Sequence, residues 1–526
     1  MKKSNYLLFF SILILFFFHD VIFTYKTFFF RDIINLFMPY RLFAAENIQN
    51  GNIPIWNPYT FFGQPFLANP ESSLFYPFTL LFYLFKFTTA YKIFIVSHFF
   101  LSLLFFFLLT KSFKIKNSYA ILGSICWGFS GYMLTRIEFL SILGAAIWLP
   151  LALLFLLNKR KVLLGLLFAI QIFAGHPQII FYTILVLLFF LKKEFIYTFV
   201  ISVVFALLIA SIQIIPSFNF INNSNRSHGI TYEEASSVSM RPVEIIKNML
   251  PRKNTDITGN LWLKTFYIGL LPIIFIISYF LNSNRRLIIP LIVILILALG
   301  RYTPIYGLLY KYILPFSKIR YPAAIMFLFT FISCLIISKA NIGKYIKLVP
   351  FISVITLFDL YLYSHGLNPK MPSKLINIKT QNILTLQERT DNGKYLVLQD
   401  VYSKKLNYYD FINTLPTNIN IPHHINNASG YDPLTTYGIE TLVEKLKDNP
   451  DAKELAKYNI KYTITNKKMS NGWKKLRDNI FENMHIKTNN LINPQPFYPN
   501  RIYYLTGLWL TFFSMTFLII IMETKI

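Results

Sequence analysis

Cysteine is scarce in this chain, with Cys126 and Cys334 the two among 526 residues. Both lie inside apolar blocks, which excludes a disulfide framework. Charge is scarce too, at 14% of residues, where an ordinary soluble domain carries about 25%. Acidic residues are the scarcer sign: 24 Asp+Glu face 51 Lys+Arg, for a formal charge of +27. No Walker motif, G-x-S-x-G elbow or dinucleotide fingerprint is present, which argues against a nucleotide-binding or serine-hydrolase core. The adjacent His423 and His424 would point to opposite faces of a strand. No third ligand lies at metal-binding spacing from them, so no zinc site is expected. No cofactor is called for, although dependence on a divalent metal ion is left open. Internal repeats are missing as well, which weighs mildly against the inverted-repeat transporter folds.

What is abundant is apolar: 54% of residues are hydrophobic and 54 are Phe, gathered in long blocks. Such blocks predict an α-helical polytopic membrane protein. Twelve transmembrane helices are expected, at about 5–23, 91–110, 118–135, 138–157, 162–174, 177–191, 195–215, 266–281, 286–300, 322–338, 346–363 and 503–522. Segment 74–88 is short and interrupted by Pro77, so it reads as interfacial or re-entrant rather than as a span. The basic excess does not read as a nucleic-acid footprint. Clusters at Lys2/Lys3, Lys111/Lys114/Lys116, Lys159/Arg160/Lys161, Lys192/Lys193, Arg285/Arg286 and Lys339/Lys344/Lys347 occupy alternate connections. The positive-inside rule then puts the N-terminus in the cytoplasm and the protein in the cell membrane, among lipids. The start "MKKSNYLLFFSILILFFF" lacks a small-x-small cleavage site, so it reads as an uncleaved first span.

This topology leaves four segments outside: 24–90, 216–265, 301–321 and 364–502. The expected domains are a transmembrane region 1–363 with a long first outer loop 24–90, an extracytoplasmic domain 364–502, and a last helix in 503–526. Within 364–502, "KYLVLQD" and "IKYTIT" read as strands. "YGIETLVEKLK" and "NPDAKELAKY" read as helices, the second with Pro450 in its first turn. A small α/β domain follows. In the first loop, Ile33, Ile34, Phe37, Tyr40 and Ala44 have helical spacing, and Gly51 supplies a stop. That pattern predicts an amphipathic helix lying at the membrane surface.

The stretch "RDIINLFMPYRLFAAENIQNGNIPIWNPYTFFGQPFLANPESSLFYP" resembles the first loop of the bacterial YfhO-like membrane proteins. The similarity continues in order along the chain, through "AGHPQIIFY", "SNRSHGITYEEASSVSMRPVEIIKNMLP", "YIGLLPIIF", "ALGRYTPIYGLLYKYILPFSKIRYPAAIMF", "NASGYDPLTTY" and "LAKYNIKYTITN". The resemblance implies a GT-C-like fold and a GT-C glycosyltransferase. Such an enzyme would move a hexosyl or N-acetylhexosaminyl group from a polyprenyl-phosphate-linked donor to an envelope glycopolymer, lipid or protein, teichoic acid being one plausible acceptor.

By that resemblance Asp32 is the general base, with Glu71 the second acid candidate. A plain charge closing the first span, or an ordinary loop acid, would explain the same residues. The neighbouring Arg31 would hold the Asp32 carboxyl low and weaken it as a base. Arg320 and Arg301 are the donor-phosphate candidates, or else interfacial anchors for headgroups. His176, in "GHPQ", and Asp432, in "GYDP", are candidates for sugar or acceptor contact. A hydrogen-bonded structural histidine, and a turn built on Gly430 and Pro433, are the alternatives. Two rival functions stand beside transfer: a flippase or transporter of a lipid-linked glycan, and a non-catalytic envelope-assembly protein. A transporter would keep ionisable groups near the bilayer midplane, and the predicted spans hold few.

Overall fold

The structure, a computed structural model, describes residues 3–251, 261–282, 285–340, 342–376, 378–389, 393–398, 400–401, 407–469, 471–477, 479–485, 491–492, 494 and 497–523. Lys2, in the first basic cluster, and part of the second predicted outer segment lie outside the described residues. The chain forms two compact units. The first holds Met1–Phe30, Tyr91–Ala210 and Gly229–Met371; the second holds Arg31–Ala90, Ser211–His228 and Pro372–Ile526. Hydropathy alone assigns 31–90 to a membrane loop, but its contacts group it with the C-terminal segment.

The first unit is helical, apart from strand Lys26–Phe28 and the end of the chain segment at 370–371. At its centre lies Met326–Lys339, in which every side chain from Met326 to Ser338 is buried. Trp127 packs edge-on against Phe331 of this helix, with ring centroids 5.5 Å apart. Gly123 permits the close approach: a Cβ there would lie 3.1 Å from the Cys334 carbonyl oxygen and collide with the Ser338 hydroxyl. Such small-residue contacts are how apolar helices approach closely in a membrane.

Among the described residues four helices are long and apolar enough to cross a membrane: Phe87–Ser112, Leu140–Leu157, Pro322–Lys339 and Tyr345–Ser364. A fifth is reached if Lys193–Ile209 and Ser211–Asn222 count as one broken span. Asn5–Phe17, Lys161–Ala174, Pro177–Phe190 and Ile288–Ala298 are apolar but shorter. This is a membrane protein, but the structure does not show twelve spans. Several predicted spans are broken. The span expected at 118–135 stops at Gly128 and resumes at Gly131 under a Ser130 cap. The span expected at 266–281 is helical only from Ile273 to Asn282. Ahead of it, Tyr267 and the Leu270 amide donate to Asp359 at 2.7 and 2.9 Å, and Gly269 is left-handed. That carboxylate organises an extended segment where hydropathy alone reads helix.

In the second unit, strands run in the order Lys394–Val397, Ile460–Ile464, Ile480–Asn483, Trp473–Lys475. The first pair is parallel and the other two are antiparallel. Helices Ile439–Asp448 and Ala452–Lys457 lie in the parallel crossover, as such a connection requires. The Asp451 side chain caps the second helix at the Glu454 amide, so Pro450 precedes the cap instead of opening the helix. The apolar core here joins Leu396, Ala428, Ile439, Val443, Leu455 and Ile460 to Phe61 and Phe62. Those two phenylalanines come from the early segment, and both have left-handed backbones.

The helix expected at 33–50 is present but is not a surface helix. It opens with a π-helical turn, Ile33–Phe37, and continues as Met38–Gln49. Met38, Pro39, Tyr40, Arg41, Phe43, Ala44 and Ala45 are all buried. Arg41 donates to the Ser72 carbonyl inside the unit. Segment 74–88 holds a five-residue helix, Leu80–Leu84, and the following helix already starts at Phe87.

Helices Ser211–Asn222 and Arg501–Glu523 pack through Gly507, where a Cβ would sit 2.6 Å from the Ser211 carbonyl oxygen. The Ser211 hydroxyl donates to the Gly507 carbonyl at 3.0 Å. Gly507→Ala must therefore push backbone apart, at a cost of about 1–3 kcal/mol. Melting of the detergent-purified protein should fall for Gly507→Ala and stay near wild type for Thr506→Ala, whose side chain is exposed. Equal melting of the two variants would rule this contact out as a stabilising one.

Candidate functional site

Asp32 precedes the π-helical turn. π-turns are rare and appear often at functional positions. The residue before it, Arg31, has φ +33°, a left-handed backbone that a non-glycine residue adopts at a cost. Asp32 is half-buried. Tyr431 donates its hydroxyl to Asp32 Oδ1 at 3.0 Å. Among the described residues Oδ2 accepts no hydrogen bond. Burial pushes the carboxyl above its usual range, against the Tyr431 hydrogen bond and the Arg31 charge. The expectation that Arg31 would hold Asp32 low is thus overturned, because desolvation outweighs a neighbouring charge.

Tyr431 is itself positioned. Its amide donates to Asn418 Oδ1 at 3.1 Å, and Asn418 Nδ2 donates to the carbonyls of Tyr431 and Asn35, both at 2.7 Å. One asparagine thereby holds the tyrosine against the turn that carries Asp32.

The next residue, Asp432, is buried. Tyr40 donates its hydroxyl to Oδ2, Asn69 Nδ2 donates at 2.6 Å, and the Leu434 amide reaches Oδ1 at 2.8 Å. Gln64 supports Tyr40 at 2.9 Å. Burial raises the Asp432 carboxyl to about 6 despite these donors. Glu71 lies in the same unit, and its charge bears on Tyr40 and Arg41. Burial pulls Arg41 down to about 10, with Tyr83 and Glu71 opposing. Beside the helix Met38–Gln49 runs a recess of about 580 Å³, lined by Met38, Leu42, Phe82, Ile376, Ile419 and the polar Glu46, Lys86, Lys379 and His423, among others.

In the first unit, Arg301 and Arg320 reach the same short helix, Tyr232–Ala235. Arg301 spends its guanidinium on carbonyls, donating to Ser236 at 3.2 Å and to Glu233 at 3.3 Å. Arg320 donates from Nη1 to Glu234 Oε1 at 3.2 Å, lies 5.1 Å from the Tyr321 ring centroid, and makes no further side-chain hydrogen bond among the described residues. Tyr321, with φ +68°, turns the chain directly after it. His176 precedes the helix Pro177–Phe190, whose Gln178 donates to the Arg320 carbonyl at 2.8 Å.

The structure therefore brings Asp32, Asp432 and Glu71 into one unit, and His176, Arg301 and Arg320 into the other. Tyr431, which donates to Asp32, was missed by sequence reasoning, and Arg136 was not singled out. Tyr431 stands directly before Asp432 in "GYDP". Arg136 lies between two apolar blocks on a connection outside the alternating basic set. Among the described residues no group of three His, Cys, Asp or Glu is placed to hold a metal ion.

The fold has a known counterpart. The mycobacterial arabinofuranosyltransferase AftD aligns with 89% of this chain at 13% identity and a TM-score of 0.56. The match spans 37% of the AftD chain, so this protein corresponds to about a third of that structure. The apo oligosaccharyltransferase of Archaeoglobus fulgidus aligns with 88% of this chain and 70% of its own, at 12% identity and a TM-score of 0.47. No family model and no curated protein matches the sequence.

Replacing Asp432 with Asn puts an amide among donors and should cost about 1–3 kcal/mol. The sign with pH is specific. The folded carboxyl sits near 6, above its usual 3.8, so the stability linked to its proton is present at low pH and lost as pH rises through about 6. The melting gap between wild type and Asp432→Asn should narrow over that range. A gap that widens with pH would reverse the assignment.

Proposed function

We propose that this protein is an integral membrane glycosyltransferase that moves a sugar from a polyprenyl-phosphate carrier to an envelope polymer, lipid or protein on the extracytoplasmic face. The reading carries with it a YfhO-like kinship, a GT-C membrane region of about twelve spans with the N-terminus inside, and segment 364–502 outside. The shared fold with AftD supports the class. The observation that carries the reaction is the Asp32 carboxylate, with one oxygen held by Tyr431 and the other open.

Glycosyl transfer requires an acceptor hydroxyl to lose its proton as the sugar carbon is attacked. Asp32 Oδ2 takes that proton. Tyr431 and Asn418 fix the direction from which it is taken, which matters because small displacements of a catalytic group cost large factors in rate. A carboxyl raised by burial is a better base than an exposed one, provided it is ionised at working pH. Arg320 stabilises the departing phosphate with the part of its fork that Glu234 leaves available. Arg301 serves chiefly to hold the 232–236 segment. Glu71 and Asp432 support the site, Asp432 by joining Tyr40 and Asn69 to the segment that carries Tyr431 and Glu71 by bearing on Arg41. The recess beside Met38–Gln49 suits the acceptor.

Three measurements test this reading, all as transfer of labelled sugar from polyprenyl phosphate by purified variants. Asp32→Asn should lower kcat by about 10²–10⁴ while donor binding is kept. Wild-type turnover in that variant removes Asp32 as the base. Activity should also fall on the acid side as Asp32 protonates. Tyr431→Phe removes a hydrogen bond that lowers the Asp32 pKa, so its acid limb should move to higher pH. An unmoved limb with normal folding would show that Tyr431 does not act on Asp32.

A further inference from the structure

Arg136 is 1% exposed. Its guanidinium lies between two rings, 4.2 Å from the Tyr132 centroid and 5.0 Å from that of Trp262. Nη1 donates to the Trp262 carbonyl at 3.4 Å, a long bond. Nε is buried without a partner, and among the described residues no carboxylate pairs with this side chain. A buried charge with no counter-ion is costly, and buried charges in proteins are nearly always paired. Cation–π contact offsets part of that cost.

His176, whose buried Nδ1 also lacks a partner, lies within electrostatic reach of both Arg136 and Arg320. His176 stands at the N-terminus of the fourteen-residue helix Pro177–Phe190, where the backbone dipole favours an anion. Burial, and then the charges of Arg136 and Arg320, push the His176 imidazole down to about 3, so near neutral pH it is uncharged and can donate to an anion from a ring N–H. Gln178, two residues into that helix, binds the Arg320 carbonyl and so fixes Arg320 against the same helix start.

We infer that Arg136, His176 and Arg320 form a phosphate-binding site at the start of helix Pro177–Phe190, with Arg136 as its buried arm. The inference rests on the glycosyltransferase reading for whose phosphate it is: that of the polyprenyl carrier. Arg136 supplies a buried counter-charge, Arg320 the accessible part of a fork, and His176 a neutral donor. A purely structural Arg136, stacked between rings, would need no ligand.

The probe is a long-chain polyprenyl phosphate, titrated into the full-length protein in detergent and followed by tryptophan fluorescence, since Trp262 stacks on Arg136. Inorganic pyrophosphate serves as the competitor. Arg136→Gln should weaken binding at least tenfold and abolish competition by pyrophosphate. Arg136→Lys keeps charge but loses the planar fork, so it should fall between the two. His176→Gln should weaken binding several-fold, and it keeps the test alive should Arg136→Gln fail to fold. Wild-type affinity in both Arg136→Lys and His176→Gln, while the wild type binds, overturns this site and leaves the transferase reading standing. A wild-type protein that does not bind polyprenyl phosphate overturns both.

Discussion

Much of the second unit depends on one buried carboxylate. Asp432 accepts hydrogen bonds from Tyr40 and Asn69, which lie nearly four hundred residues earlier, and from the Leu434 amide beside it. Removing one partner from such a network leaves the others unsatisfied in a low dielectric, so its parts stand or fall together. The consequence reaches beyond the bonds. The neighbouring Tyr431, held by Asn418, donates its hydroxyl to Asp32. The adjacent Ser429 carbonyl and Gly430 receive Phe61, whose ring leaves no room for a Cβ at 430. A polar latch and an apolar plug thus bind the early segment to the late one, and the candidate base is held at their junction.

Local strain marks the same places. Arg31 before Asp32 and Tyr321 after Arg320 both have left-handed backbones, which side chains with a Cβ avoid. Strain of this kind persists only where the surroundings over-determine the conformation. For Arg31 they do so through the carbonyl that accepts from both the Ile34 and Asn35 amides, which ties the strained residue to the first turn of the helix.

Sequence reading reached local elements far better than the way they assemble. The strands at "KYLV" and "IKYTI" and the helix at "IETLVEKLKD" carry their own periodicity, and the structure places them there. The grouping of 31–90 with 372–526 has no local signature, because it rests on Phe61, Phe62, Tyr40 and Asn69 meeting partners hundreds of residues away. The burial of Met38–Gln49 was illegible for the same reason: Arg41 looks like a solvated charge until Ser72 accepts it. Asp32 was legible as a carboxylate at the end of an apolar run. Its raised pKa was not, since Arg31 is visible in the sequence and burial is not.

The rival transporter reading turns on ionisable groups within the membrane region. His98 lies inside the long apolar helix Phe87–Ser112 and is fully buried. Its Nδ1 meets the Phe94 carbonyl one turn back at 2.6 Å, and its ring stacks on Phe94 at 3.8 Å. Nδ1 can meet a carbonyl only by carrying the proton, so this bond fixes the tautomer. Asp359 is likewise engaged, by Tyr267 and the Leu270 amide, in shaping the backbone before Ile273. Both groups are used locally, in ways that hold backbone and rings in place. A proton or ion relay needs groups that can exchange partners along a path. By contrast, among the described residues Asp32 Oδ2 in the second unit and Arg136 Nε in the first make no hydrogen bond, a condition in which a polar group is open to a ligand.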